Sequence, residues 1–164
     1  MSTPQQSFTI RPATEADAEN IVALINAAFR SAESFFVDGD RITLKEVLEY
    51  LQVGEFLLAE DNSRLIACVY LEPRGERTYL GLLSVDPTLQ KGGVGSLLMN
   101  AAEDRWRSRN AKFIDILTVS VREELPAFYG KRGYVETGTS PFPSDVKTKL
   151  PVHFVHMSKR IASE

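Results

Sequence analysis

Apolar positions along this chain switch between a period of two and a period near 3.6, and the switches mark out alternating strands and helices. Phe8-Thr9-Ile10 reads as a first strand, ended by Pro12. Thr14-Glu15-Ala16-Asp17 has the form of a helix start, after which Ile21, Leu24, Ile25 and Ala28 recur at helical spacing. A second helix is predicted over Leu44 to Leu51, with Thr43 as its cap and Glu46 completing a capping box. Phe56 to Glu60 and Leu65 to Leu71 flank Asp61-Asn62-Ser63, a hairpin turn. Pro73-Arg74-Gly75-Glu76 turns the chain again into a strand over Thr78 to Val85. A glycine-rich loop follows, and then a helix whose Val94, Leu97, Leu98, Ala101, Ala102 and Trp106 form one stripe predicted to pack on a sheet. Phe113 to Val121 is an apolar-rich strand. Glu123 to Lys131 is a short helix, with Pro126 tolerable only in its first turn and Gly133 as C-cap. Tyr134 to Thr137 and Val152 to Met157 are the last two strands, separated by a proline-bearing loop over Gly138 to Pro151.

Composition narrows the class. At 164 residues the chain is one domain by size, with 43% hydrophobic and 25% charged residues. A net charge of −3 gives no support for nucleic-acid binding. The longest apolar run, Leu65 to Leu71, is too short to span a bilayer. Met1 to Ser7 is polar, lacks the apolar core of a signal peptide, and is expected to be flexible. The lone cysteine, Cys68, excludes an internal disulfide and fits a reducing cytoplasm; its place inside an apolar run makes it a core residue.

The candidate chemistry sits in Val85-Asp86-Pro87-Thr88-Leu89-Gln90-Lys91-Gly92-Gly93-Val94-Gly95-Ser96, a strand end, a turn and a glycine loop opening a helix. Three glycines within four positions let the backbone curl so that several N–H groups face one concavity, with the positive end of the helix dipole behind it. That is a site for an anionic group such as a phosphate or pyrophosphate. The string Gly-x-x-x-x-Gly-Lys-Ser/Thr of a nucleotide P-loop does not occur, and the glycines are spaced wrongly for a dinucleotide fingerprint.

Gln90-Lys91-Gly92-Gly93-Val94-Gly95 resembles the Gln/Arg-x-x-Gly-x-Gly/Ala signature of the GNAT superfamily of acyl-CoA-dependent N-acetyltransferases. A second block, Leu125-Pro126-Ala127-Phe128-Tyr129-Gly130-Lys131-Arg132-Gly133-Tyr134, resembles that family's "fYeklGF" segment. The resemblance implies an α/β (α+β) fold in a single domain over residues 1–164: a mixed, mostly antiparallel sheet of about six or seven strands flanked by about four helices. It implies acetyl-CoA (or CoA) as co-substrate, with no metal. The pyrophosphate would lie on the loop amides of Gly92, Gly93, Val94, Gly95 and Ser96, with Gln90 or Lys91 alongside. The strand before the loop is expected to splay from the strand after its helix, freeing backbone groups of Leu83, Ser84 and Val85 for the pantetheine arm. Tyr129 matches the family tyrosine that protonates the departing thiolate, so it is the expected general acid. Phe128 would pack against the arm or the core, and Arg132 or Lys131 would reach the 3′-phosphate.

The expected reaction is direct transfer of an acetyl group to a primary amine of a small molecule, an amino acid or a peptide, by a monomer or homodimer. A non-catalytic acyl-CoA sensor, a hydroxyl acceptor and a longer acyl group are the alternatives. No nucleic acid or membrane takes part in this reading. No base is assigned. The strand position of the family glutamate corresponds to Tyr79, and Glu72 and Glu33 read as solvated surface carboxylates. Arg122 and Leu125 stand where the family carries asparagine and alanine. His153 and His156, three apart on one strand, face opposite sides and share no metal site. Glu33, Asp38 and Asp40 fall in the segment that builds the acceptor pocket and hint at a cationic acceptor, although an acidic loop in solvent explains them as well.

Overall fold

Asn62 (φ 50°) and Ser63 (φ 65°) hold adjacent left-handed backbones and fold β2 (Glu55–Asp61) back onto β3 (Arg64–Arg74). Positive φ at both central positions gives a hairpin turn whose twist suits the paired strands. A computed structural model of the chain describes residues 8–89 and 92–162; Gln90 and Lys91 of the glycine loop lie outside the described residues, as does Met1 to Ser7. The next turn is tighter than the sequence suggests. Pro73 sits inside β3 opposite Thr78, and only Gly75 (φ 69°) and Glu76 turn the chain into β4 (Arg77–Val85). Pairing of β3 with β2 has already ended at Leu71, so the missing N–H of Pro73 breaks no ladder bond on that side.

The remaining elements are β1 (Thr9–Pro12), α1 (Ala18–Glu33), α2 (Leu44–Val53), α3 (Val94–Ser108), β5 (Phe113–Val119), α4 (Glu124–Gly130), β6 (Val135–Pro141) and β7 (His153–Arg160). They form one seven-stranded sheet in the order β1-β2-β3-β4-β5-β7-β6, antiparallel except for the pair β4 and β5. The expected mixed, mostly antiparallel sheet with four helices is the fold observed. The capping box of α2 forms as read: the Glu46 N–H donates to Thr43 Oγ1 at 3.2 Å, and Thr43 N–H donates to Glu46 at 3.1 Å.

Both faces of the central strands are covered. On one face Leu57, Ala59, Val69 and Leu71 pack with α3; on the other Phe56, Leu58, Cys68 and Tyr70 pack with α1 and α2. Cys68 is fully buried, and burial pushes its thiol up to about 12, as suits an inert core residue. The α3 stripe is rotated from its predicted position. Val94, Leu98, Met99, Ala102 and Trp106 are buried, whereas Leu97 is 48% exposed. The buried arc centres near Ala102 and takes in Glu103, whose carboxylate accepts from Lys159 Nζ at 2.6 Å and Tyr134 Oη at 3.1 Å.

The predicted loop over Gly138 to Pro151 also shrinks. β6 continues to Pro141, which pairs with His153. As an edge strand it has no outer neighbour to miss a proline donor. His156 Nε2 lies 2.7 Å from Ser140 Oγ, a satisfied strand histidine. Among the described residues no three His, Cys, Asp or Glu side chains gather as a metal site, and no helix is long and apolar enough to cross a membrane.

Gly54 joins α2 to β2 so closely that an added Cβ would meet the Leu71 carbonyl oxygen at 2.5 Å and Tyr70 Oη at 2.6 Å. Gly54→Ala is therefore expected to destabilise the fold by about 1–3 kcal/mol through overpacking against backbone. A denaturant midpoint equal to that of the parent chain would contradict this.

Candidate functional site

The site begins where the sheet stops being continuous. β4 and β5 pair over four positions only, Arg77 to Leu80 against Phe113 to Ile116. Immediately beyond, the register of β3 and β4 slips: Tyr70 opposes Gly81 and Cys68 opposes Ser84, so Leu82 and Leu83 together face Val69. Leu82 carries φ 55°, a left-handed backbone rarely taken by a branched apolar residue. This bulge bends β4 away from β5. From Leu83 to Val85 the strand keeps its β3 neighbour on one side and, among the described residues, has no strand partner on the other.

The opening is a cavity of about 1100 Å³. Leu83, Ser84 and Val85, with Gly93, Gly95 and Ser96, form one wall. Ile116 to Val119 on β5, with Leu125, Phe128 and Tyr129 of α4, form the other. Ser84 is 2% exposed and its hydroxyl donates to the Leu82 carbonyl at 3.0 Å, so its side chain braces the bulge and its main chain alone is offered to the opening. Gly93 (φ 76°) is the N-cap of α3, a conformation that glycine takes without steric cost. Its carbonyl receives the first helical bond, from Leu97 N–H at 3.1 Å, so the N–H groups of Val94, Gly95 and Ser96 precede the helical ladder. The Gly92 N–H is already committed to the Leu89 carbonyl at 3.0 Å.

Tyr129 is 7% exposed, packed edge-on against Phe128 and Tyr134 at centroid distances of 5.1 and 5.8 Å. Its hydroxyl makes no hydrogen bond among the described residues. Burial pushes that hydroxyl up to about 12, with the Arg122 charge opposing the effect. The group therefore keeps its proton throughout the neutral range.

The far end of the cavity is closed by the C-terminal turn of α1, the connector to α2 and the loop after β6. Phe142 bridges this end, 6.5 Å from Phe36 and 5.1 Å from Phe154 between ring centroids. Lys149 N–H donates to the Phe36 carbonyl at 2.7 Å. Here the sequence expectation for Glu33 is corrected. The residue is 8% exposed and paired with Arg122 Nη1 at 3.3 Å, while Arg122 Nε reaches Glu124 at 3.0 Å. Burial holds the Glu33 carboxyl above the usual glutamate range even though Arg122 and Arg41 pull the other way. Glu72 lies away from the cavity, tied to Tyr70 Oη at 2.9 Å and Arg74 at 2.8 Å.

Eight of the predicted residues thus meet around one opening: Leu83, Ser84, Val85, Gly93, Gly95, Ser96, Phe128 and Tyr129. Three do not line it. Val94 is 2% exposed and belongs to the core. Gly92 closes the preceding turn, and Arg132 is held over the Phe128 ring at 5.6 Å by a 3.0 Å bond to Asn100. Thr118 is a cavity residue the sequence reading missed. It is 3% exposed, and its hydroxyl has no hydrogen-bond partner among the described residues. The signal was present: Thr118 shares the parity of Ile114 and Ile116, a polar side chain on the buried face of a strand.

Comparison with known proteins agrees with this architecture. The acetyltransferase (GNAT) domain family matches over residues 52–136. YxbD, an uncharacterised protein of Bacillus subtilis (strain 168), is 34% identical over 83 residues, 49% of either chain. An amino-acid acetyltransferase of Azotobacter vinelandii (strain DJ / ATCC BAA-1303) is 28% identical over 144 residues, covering 87% of this chain and 31% of that one. The chain therefore spans about half or less of the length of these curated relatives. The PaiA N-acetyltransferase of Thermoplasma acidophilum, solved in complex with coenzyme A, superposes with a TM-score of 0.71 at 16% identity, over 94% of this chain and 99% of that one.

The burial of Glu33 has a thermodynamic consequence. Its folded-state value lies above the ordinary 4.5, so ionising it works against the fold. Relative to Glu33→Gln, the chain should be most stable below about pH 4.5 and should lose that advantage as pH rises through the raised value. Denaturant unfolding of both proteins at several pH values would show this as a shrinking stability difference; a constant difference would deny burial as the cause.

Proposed function

The chain belongs to the acetyltransferase (GNAT) domain family, and from that premise we propose that it is an N-acetyltransferase moving an acetyl group from acetyl-CoA directly to a primary amine of a small molecule, amino acid or peptide. The observation that carries the reading is the gap between β4 and β5, with an unpartnered Tyr129 hydroxyl on one wall and the N-terminus of α3 on the other.

The residues present fit the co-substrate. The N–H groups of Gly95 and Ser96 sit at the positive end of a 15-residue helix and suit a pyrophosphate. The open main chain of Leu83 to Val85 suits the two amides of a pantetheine arm, which would join the sheet edge as a short extra strand. The orphaned Thr118 hydroxyl leaves a polar group at the parting of the strands that the protein alone does not satisfy. Phe128, half-buried between α4 and the cavity, offers an apolar face to the arm.

Acetyl-CoA supplies an activated acyl group. The acceptor nitrogen, as the free amine, bonds to the acyl carbon, the carbon–sulfur bond breaks, and the nitrogen passes its surplus proton to water. A β4 main-chain N–H stabilises the charge developing on the acyl oxygen. Tyr129 hands its proton to the departing sulfur and regains one from solvent. Arg122 assists, because its positive charge favours the ionised phenol against the burial that resists it.

Two outcomes are expected. Acetyl-CoA and CoA, but not ATP, should raise the melting temperature, by about 2.7 kcal/mol of added stability at 100 times Kd; Gly93→Asp should weaken the shift by setting a negative charge at the helix N-terminus. Tyr129→Phe should lower kcat by about 100-fold while leaving the CoA-induced shift intact. A variant with unaltered kcat would remove Tyr129 from the chemistry. Binding without turnover of any amine would favour an acyl-CoA sensor.

A further inference from the structure

The far end of the cavity carries charges of both signs, and their pairing decides what it can hold. Asp40 is taken by Arg30 at 2.6 Å and Asp38 by Lys149 at 3.1 Å. Glu33 and Glu124 share Arg122. The acidic residues that hinted at a cationic acceptor are thus each met by a cation of the chain. Arg41 also lines the cavity, and among the described residues no carboxylate lies within ion-pair distance of it.

Arg41 is nonetheless held in place. Asn26 of α1 clamps its backbone, accepting from Arg41 N–H at 2.8 Å and Ile42 N–H at 3.0 Å and donating to the Ile42 carbonyl at 3.0 Å. Ile42 is 2% exposed, which anchors the connector in the core. The guanidinium lies over the Phe29 ring at 5.5 Å. Its charge acts on both Glu33 and Tyr79. Glu33 uses one carboxylate oxygen on Arg122, and the other accepts no hydrogen bond among the described residues. An exposed guanidinium lying over the Phe29 ring, with no carboxylate partner among the described residues, and a buried carboxylate with a vacant acceptor position therefore line one cavity.

We propose that the acceptor is a small amino carboxylate, whose carboxylate is bound by Arg41 and whose amine is received by Glu33. This rests on the acetyl-transfer reading above and selects among its acceptors: a free amino acid-like molecule, and not a peptide or protein amine lacking a nearby carboxylate. A planar guanidinium binds a carboxylate through paired, charge-assisted hydrogen bonds, so removing either partner is costly.

The test is thiol release from acetyl-CoA with matched acceptors: free amino acids, their amides and the corresponding decarboxylated amines. The acids should be preferred in kcat/KM by about 10- to 100-fold. Arg41→Gln should raise KM for the acids by a similar factor and erase the preference, Arg41→Lys should retain part of it, and both should keep the melting shift with acetyl-CoA. Amides or amines used as well as the acids would overturn the acceptor class while leaving acetyl transfer standing. So would an Arg41→Gln enzyme that still prefers the acids. No turnover of any amine by a chain that binds acetyl-CoA would overturn both.

Discussion

Four parallel residue pairs, Arg77 to Leu80 against Phe113 to Ile116, join the two halves of the sheet, and their abrupt end governs the rest of the molecule. Every main-chain N–H and C=O must find a partner in protein, water or ligand. Past Leu80 one side of β4 has no strand partner among the described residues. The bulge at Leu82 prevents the strands from closing again, and its left-handed backbone stores about 1–3 kcal/mol of strain. That strain is held by what lies behind β4: the pairs Cys68 with Ser84 and Ala67 with Val85, the bond from Asp86 N–H to the Ile66 carbonyl at 2.8 Å, and two apolar clusters covering the sheet on both faces. A continuous sheet would be the more relaxed structure and would contain no site.

The same parting sets the electrostatics. It places the start of α3 on one lip and α4 on the other, so that helix-end N–H groups face an opening whose opposite wall holds a neutral, buried tyrosine. Arg122 ties this wall to α1 through Glu33 and Glu124, and its charge also reaches Tyr129. At a phenol as buried as that of Tyr129 such fields are felt more strongly than at the surface. One side chain, Arg122, therefore links packing at the far end of the cavity to the proton affinity of the phenol.

Features that depend on neighbours in sequence were legible. The Thr43–Glu46 capping box, the Asn62–Ser63 hairpin turn, the glycine at the start of α3 and Pro126 early in α4 are local chemistry, fixed by backbone geometry within a few residues. The two motif blocks, about 35 residues apart, also named residues on both cavity walls, Gly93 and Gly95 on one and Leu125, Phe128 and Tyr129 on the other. Periodicity was less exact about faces. It found α3 yet included Leu97, because a stripe read along a helix fixes its centre only to within a residue or two, and packing against β2 to β4 set the rotation. It ended this strand at Thr137, whereas edge pairing with β7 carries β6 through Gly138 to Pro141 over local strand-breaking signals.

What the sequence determined by itself is the family, the order of elements and the loop and tyrosine that face each other across the opening, since each is written in contiguous residues. What only the tertiary structure decided is the state of the charges and hydroxyls around that opening. Glu33 is buried because Arg122, 89 positions away, closes over it. Thr118 is a buried hydroxyl without a hydrogen-bond partner among the described residues. Arg41 is unpaired because Arg30, Lys149 and Arg122 have taken the carboxylates nearby. Burial and pairing are properties of neighbours in space, and a chain in one dimension does not state which of its charges will meet.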